Sequence, residues 1–225
     1  MMQRKVDGII LYPSKQIQKA AAFIRKTGIP VVQLMDHTPE IGDCFVAVAN
    51  FKAAKEAVQA LCDSGCCNIA MISHNANSPE VADRCRGFIE AVSERLPGFK
   101  PVIVESAVDT ADAKEAAMKL LTSHPETDAV FAASDFAALG VAQAALELGK
   151  KIPEELSVIG FDNLDIASEQ LLYALSTVAQ PKEEIGRRAG EMIIDLINGR
   201  AVAPVILDAP LILRKTTRNI RGEKC

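Results

Sequence analysis

The chain has 225 residues, which suits one large domain or two small ones and is long enough to bury a hydrophobic core. Hydrophobic residues make up 49% and charged residues 24%, so the composition excludes a disordered chain. Lysine and arginine number 25 against 29 aspartates and glutamates, and the net charge of −4 excludes a basic field for non-specific nucleic-acid binding.

Short β-branched runs alternate with longer amphipathic segments along the chain. The predicted strands cover residues 6–11, 29–34, 45–48, 68–73, 101–106, 128–133, 156–162, 175–180, 204–208 and 211–214. The predicted helices lie between Ser14 and Gly28, between Asn50 and Gly65, and over residues 79–96, 110–122, 135–148 and 182–198. Strands that alternate with helices imply βαβ units, so we expect an α/β fold with parallel sheets and right-handed crossovers.

The sequence predicts neither a membrane segment nor a metal site. No apolar run approaches the roughly 20 residues that cross a bilayer, and the apolar run near the N-terminus is too short for a signal peptide. Cys62, Cys66 and Cys67 lie close together, but they lack paired C-x2-C halves and a nearby histidine. We therefore expect a cytoplasmic protein with no cofactor and no membrane partner.

Polar side chains follow several predicted strands, where an open parallel sheet places its ligands. Ser73 and His74 lie at the end of the strand over residues 68–73, Ser134 follows the strand over residues 128–133, and Asp162 and Gln180 follow two others. Such donors and acceptors suit a polar, hydroxyl-bearing small molecule. Neither a nucleophile elbow nor a phosphate loop nor a dinucleotide fingerprint is present, so the sequence favours binding over catalysis.

Six segments, in order, resemble the effector-binding domain of the lactose/galactose-repressor (LacI/GalR) family of bacterial transcription regulators. They are VDGIIL with GIPVV, the stretch ANFKAAKEAVQALCDSGCCNIAMI, RCRGF, the block TDAVFAASDFAALGVAQAALELGKKIPEELSVIGFDN, STVAQPKEEIGRRAGEMIIDLI and LILRKTT. Together they extend over nearly all of residues 6–217, and the VIGFD-containing block is the most specific of them.

The resemblance implies a periplasmic-binding-protein-like fold of two Rossmann-like parallel-sheet subdomains joined by three crossovers, with the ligand in the cleft between them. Residues 1–66 and 180–202 would form the first subdomain, and residues 67–179 and 203–217 the second, followed by a tail over residues 218–225. Two βα units that relatives carry before the first strand have no counterpart here, so we expect the first subdomain to be incomplete. We expect its apolar strands to be partly uncovered for that reason.

Arg84 matches the family's cleft arginine, a donor to ligand hydroxyl or carboxylate oxygens, with a surface arginine as the alternative. Asp162 matches the aspartate that accepts adjacent hydroxyls, and a turn cap is its alternative. Phe161 could stack on a ligand or belong to the core.

Ser134 stands where many relatives carry asparagine, and we expect the following Asp135 to cap the next helix. Gln180 matches a position at a crossover near the cleft, and Asp36 lies one place from the usual aspartate. These residues complete the predicted ligand site.

The function that the resemblance implies is sensing of a sugar-like effector by a regulator that dimerises and binds DNA through an N-terminal helix-turn-helix segment outside this sequence. Two alternatives stay open: a stand-alone sugar-binding protein of the ABC-transport type, and an α/β enzyme with an unrecognised site.

Overall fold

The computed structural model describes residues 6–14, 17, 19–74, 78–167 and 174–219. The chain forms two compact units: residues 1–49 with 181–208 make the first, and residues 50–180 with 209–225 make the second. It passes from one unit to the other three times, after Ala49, Gln180 and Asp208.

The strands and helices alternate as the sequence predicts. The strands are β1 (Ile9–Leu11), β2 (Val31–Leu34), β3 (Phe45–Val48), β4 (Ile69–His74), β5 (Val102–Ser106), β6 (Ala129–Ala132), β7 (Ser157–Phe161), β8 (Ser176–Val178), β9 (Val205–Leu207) and β10 (Leu211–Ile212). The helices are α1 (Ala21–Lys26), α2 (Asn50–Asp63), α3 (Pro79–Arg95), α4 (Thr110–Ser123), α5 (Asp135–Glu147) and α6 (Lys182–Ile197), and a 3₁₀ turn covers Asp165–Ala167. The terminal residues 1–5 and 220–225 lie outside the described residues, as does part of the segment before α1.

The first unit contains a parallel sheet in the order β1-β2-β3-β9. Helix α6 buries a stripe formed by Ile185, Ala189 and Met192, the face that its helical spacing predicts. In β2, Val32 is fully buried, whereas Ile10 in the edge strand β1 is 43% exposed. The apolar cover of this sheet is therefore uneven.

The second unit contains a sheet in the order β10-β8-β7-β6-β4-β5, with β10 antiparallel and the other pairs parallel. Alanine-rich faces of α4 and α5 pack on the sheet and on each other. The two helices approach so closely at Gly140 that an added Cβ would lie 2.7 Å from the Thr110 carbonyl oxygen. The strands β4, β6 and β7 are buried over nearly their whole length, because helices cover the sheet.

Two unit boundaries differ from the predicted ones. Helix α2, predicted in the first subdomain as part of residues 1–66, belongs to the second unit because it packs on α3, where Lys55 pairs with Glu90 and Glu94. Strand β9, predicted in the second subdomain, belongs to the first unit because it pairs with β3. Among the described residues, no helix combines the length and the apolar character that a bilayer-spanning segment needs.

Candidate functional site

The parallel strands β4, β6, β7 and β8 of the second unit end at one edge of their sheet, which we call the carboxyl edge. Four of the predicted site residues meet there: Arg84, Phe161, Asp162 and Gln180. They come from α3, from the end of β7 and from the segment after β8, so the fold brings together residues that are far apart in sequence.

Arg84 is buried, with 4% of its surface exposed, which excludes the surface alternative. Its Nε donates to Asn50 Oδ1 over 2.9 Å, and its Nη1 donates to the carbonyl oxygen of Ala133 over 2.6 Å. Nη1 also lies 3.6 Å from Asp162 Oδ1. A buried guanidinium needs such partners because an uncompensated charge in the interior is costly.

Phe161 is fully buried at the end of β7, and the guanidinium carbon of Arg84 lies 3.6 Å from the centre of its ring. Phe161 is therefore a core residue, and the group that stacks on its ring is the guanidinium of Arg84. The expectation that Phe161 stacks on a ligand is wrong for this conformation, because its ring has no exposed face. Its contribution to the site is to hold Arg84 in place.

Asp162 follows β7 with a φ of +111°, and Asn163 has a φ of +49°, so the chain turns sharply at this point. The side-chain nitrogen Nε2 of Gln180 donates to Asp162 Oδ1 over 2.5 Å. Arg214 donates to Asn163 Oδ1 over 2.8 Å and to the carbonyl oxygen of Leu175 over 2.7 Å. The turn that carries Asp162 is thus held from both sides.

Ser134 is the N-cap of α5, where its hydroxyl accepts a hydrogen bond from the amide of Ala137. The prediction that Asp135 caps this helix is wrong. The Asp135 carboxylate is fully buried and reaches across the carboxyl edge. Its Oδ2 accepts from the Leu164 amide over 2.7 Å, and its Oδ1 accepts from the Thr177 hydroxyl over 2.6 Å.

His74 is a polar residue of this edge that the predicted ligand set does not include. It ends β4, and both burial and the nearby Arg84 charge hold the pKa of its imidazole below the ordinary value, despite the opposing charges of Asp162 and Glu80. Asn50 is also absent from the predicted set, because an asparagine at the start of a helix is most simply interpreted as a cap. Neither side chain has a sequence signal that identifies its partner.

Asp36 lies in the first unit, in the turn after β2, and is nearly buried. Its carboxylate accepts a hydrogen bond from the amide of His37 over 2.6 Å. The neighbouring Gln33 is fully buried and binds both the amide and the carbonyl of Thr38. Hydrogen bonds among its own residues and Gln33 therefore stabilise this turn. Within the ranges that the structure describes, no cluster of three or more His, Cys, Asp or Glu side chains could hold a metal ion.

The fold and the polar carboxyl edge define a ligand-binding α/β protein, and comparisons with known proteins give its family. Residues 58–217 match the family described as "Periplasmic binding protein-like domain". The chain is 32% identical to the HTH-type transcriptional repressor CytR of Escherichia coli strain K12 over 221 residues, covering 97% of this chain and 64% of CytR.

Comparison with solved structures also finds members of the LacI family. A LacI-family regulator of Enterococcus faecium with bound ribose matches with a TM-score of 0.85 and 26% identity over 97% of this chain and 82% of that one. A LacI-family regulator of an Arthrobacter species in complex with lactose matches with a TM-score of 0.81 and 29% identity over 95% and 80%. The chain belongs to the periplasmic binding protein-like domain family, as a LacI/GalR effector-binding domain. Its relatives are repressors, which supports a binding protein and not an enzyme.

Proposed function

We propose that this chain is the effector-sensing part of a LacI-type transcription regulator and that a sugar or related polyhydroxyl compound binds at the carboxyl edge of the second unit. The observation that carries the proposal is the pair of the buried Arg84 and the partly exposed Asp162, with 3.6 Å between Nη1 and Oδ1. A carboxylate that is held in place can accept hydrogen bonds from two adjacent hydroxyl groups, and a neighbouring guanidinium can donate to their oxygens. Relatives with bound ribose and lactose support this class of ligand.

The test is binding of D-ribose and lactose to the full chain, measured by thermal shift and by calorimetry. We expect at least one of the two sugars to raise the melting temperature, because a ligand that binds only the folded state stabilises it. Asp162→Asn should weaken that sugar by about ten- to a hundredfold, since hydrogen bonds to a charged group contribute about 1.5–3 kcal/mol.

The matched control is Asp165→Asn, an exposed residue three positions further on in the 3₁₀ turn. It removes the same charge from the same segment and should leave sugar binding unchanged. If neither sugar binds, or if both variants weaken binding equally, the proposed site is wrong.

We also propose that the regulator is a cytoplasmic homodimer that binds DNA through a helix-turn-helix segment outside this sequence. The support is that the chain spans 64% of the length of CytR, which is a helix-turn-helix repressor. Sedimentation of the chain at several concentrations tests the dimer. A longer chain that includes the N-terminal segment should bind DNA with an affinity that changes when the sugar is added, because an effector shifts the two states only by its differential affinity.

A further inference from the structure

His74 is the last residue of β4, an interior strand of the second sheet with β5 on one side and β6 on the other. It is partly buried, and its Nδ1 is shielded from solvent with no hydrogen-bond partner in the described part of the chain. On the β5 side, His74 is paired with Ser106, which does not titrate. On the other side, pairing with β6 ends at Ile72, whose carbonyl oxygen accepts from the Ala133 amide. A buried polar nitrogen of this kind is stable only with a partner.

Two further polar atoms of the second unit share the property. Gln180 Oε1 and Ser78 Oγ are both shielded, and neither has a partner among the residues that the structure describes. Gln180 uses its amide nitrogen for Asp162, so the oxygen of the same side chain is left for another donor. Ser78 precedes α3 as its N-cap residue without making a side-chain cap bond. Of these atoms, Gln180 Oε1 belongs to a side chain that contacts Asp162, and His74 lies close enough to Arg84 and Asp162 to feel both charges.

The charges around His74 come from two elements. Helix α3 contributes Glu80 and Arg84, and the turn after β7 contributes Asp162. Burial and the Arg84 charge both lower the pKa of His74 from the ordinary value of 6.5, so the neutral imidazole predominates at pH 7. A neutral imidazole has one nitrogen that donates and one that accepts, and a hydroxyl group can satisfy either of them.

We propose that His74 is a further ligand-contacting residue of this site and that its neutral ring hydrogen-bonds a hydroxyl group of the bound sugar, which makes it specificity-determining. The inference rests on the proposed function. Protonation of His74 removes the accepting nitrogen and adds a second positive charge beside Arg84. Sugar binding at this site is therefore strongest above pH 6.5 and weakens as the pH falls through the lowered pKa of His74, while the Asp162 contact is retained.

The experiment measures binding of D-ribose and lactose to the full chain between pH 5 and pH 8. His74→Ala should weaken the bound sugar about three- to tenfold at pH 8, the size of one neutral hydrogen bond. His74→Asn keeps a polar group near the position of Nδ1, so it should restore part of the affinity and abolish the pH dependence. The control is His124→Ala, which removes an exposed histidine after α4 that pairs with Glu126.

The outcomes separate this inference from the proposed function. If Asp162→Asn weakens the sugar and His74→Ala does not, the proposed function stands and the role of His74 is refuted. The same holds if the pH profile of His74→Asn equals that of the wild type, or if His124→Ala changes the profile as much as His74→Ala. If the wild type binds neither sugar, both proposals are refuted together.

Discussion

The Asp135 carboxylate connects three segments of the second unit, and its replacement is the sharpest test of how the turn at Asp162 is held. In Asp135→Ala, the Leu164 amide and the Thr177 hydroxyl both lose their acceptor. Asp135→Asn is the matched variant, because it keeps one oxygen for the Leu164 amide. The new amide group then faces Thr177, whose hydroxyl can accept from it.

The magnitude follows from the two bonds. A buried donor without a partner costs about 1–3 kcal/mol. The Thr177 hydroxyl has an alternative acceptor in the Val178 carbonyl at 3.4 Å, so its loss is at the low end of that range. We expect Asp135→Ala to lower the free energy of unfolding of the second unit by about 2–4 kcal/mol, and Asp135→Asn by about 1 kcal/mol.

Urea denaturation measures the free energy of unfolding, and native-state hydrogen exchange at the Leu164 amide reports the local effect. Exchange at Leu164 should accelerate strongly in Asp135→Ala and only slightly in Asp135→Asn. Thr177→Val completes a double-mutant cycle with Asp135→Asn, and the two changes should not be additive because the side chains are in contact. A loss below about 1 kcal/mol in Asp135→Ala, or additivity in the cycle, would refute the reasoning.

Two other predictions test the packing of the second unit. Gly160→Ala should lower the free energy of unfolding by about 1–3 kcal/mol, because its Cβ would lie 2.4 Å from the buried carboxylate of Asp135. Gly186→Ala in α6 is its control and should be neutral or stabilising, since no heavy atom lies within 4 Å of the added carbon; equal effects in urea denaturation would contradict the steric argument. Burial raises the pKa of Cys62 to about 11, so its thiol should resist iodoacetamide at pH 8 in the folded protein and react after unfolding, as mass spectrometry can measure. Rapid modification of Cys62 in the folded chain would show that its surroundings are open.

The order of strands and helices could be predicted from the sequence because each depends on local periodicity. The alternation of short β-branched runs with amphipathic helices gives the α/β class. The unit boundaries are harder to predict from the sequence, since α2 could in principle pack on either sheet. What decides its place is the close approach to α3, where an added carbon at Gly87 would lie 2.4 Å from the Phe51 carbonyl oxygen. That contact joins residues 36 positions apart, and no local pattern indicates it.

The candidate site could be predicted only in part, because some of its residues stand at motif positions and the others are defined by contacts between distant segments. Motif positions identify Arg84 and Asp162, and the structure brings the two side chains together. Their supporting contacts depend on pairs that are distant in sequence, such as Arg84 with Asn50. Asp135 shows the limit most clearly: an acidic residue at a helix start is interpreted as a cap, but its carboxylate bonds across the sheet to Thr177.

The contacts of Asp135 also separate two kinds of position at the carboxyl edge. Residues that bond to each other can be substituted only together, whereas residues outside these contacts can be substituted singly. Asp135 and Thr177 are joined by a buried bond, and Gly160 leaves the space that the carboxylate fills. His74 and Gln180 take no part in these contacts. Gln180, however, donates to Asp162 Oδ1, so a substitution there would also release that carboxylate. A descendant of this sequence can therefore change its ligand by substitution at His74, while the contacts that orient Asp162 are inherited intact.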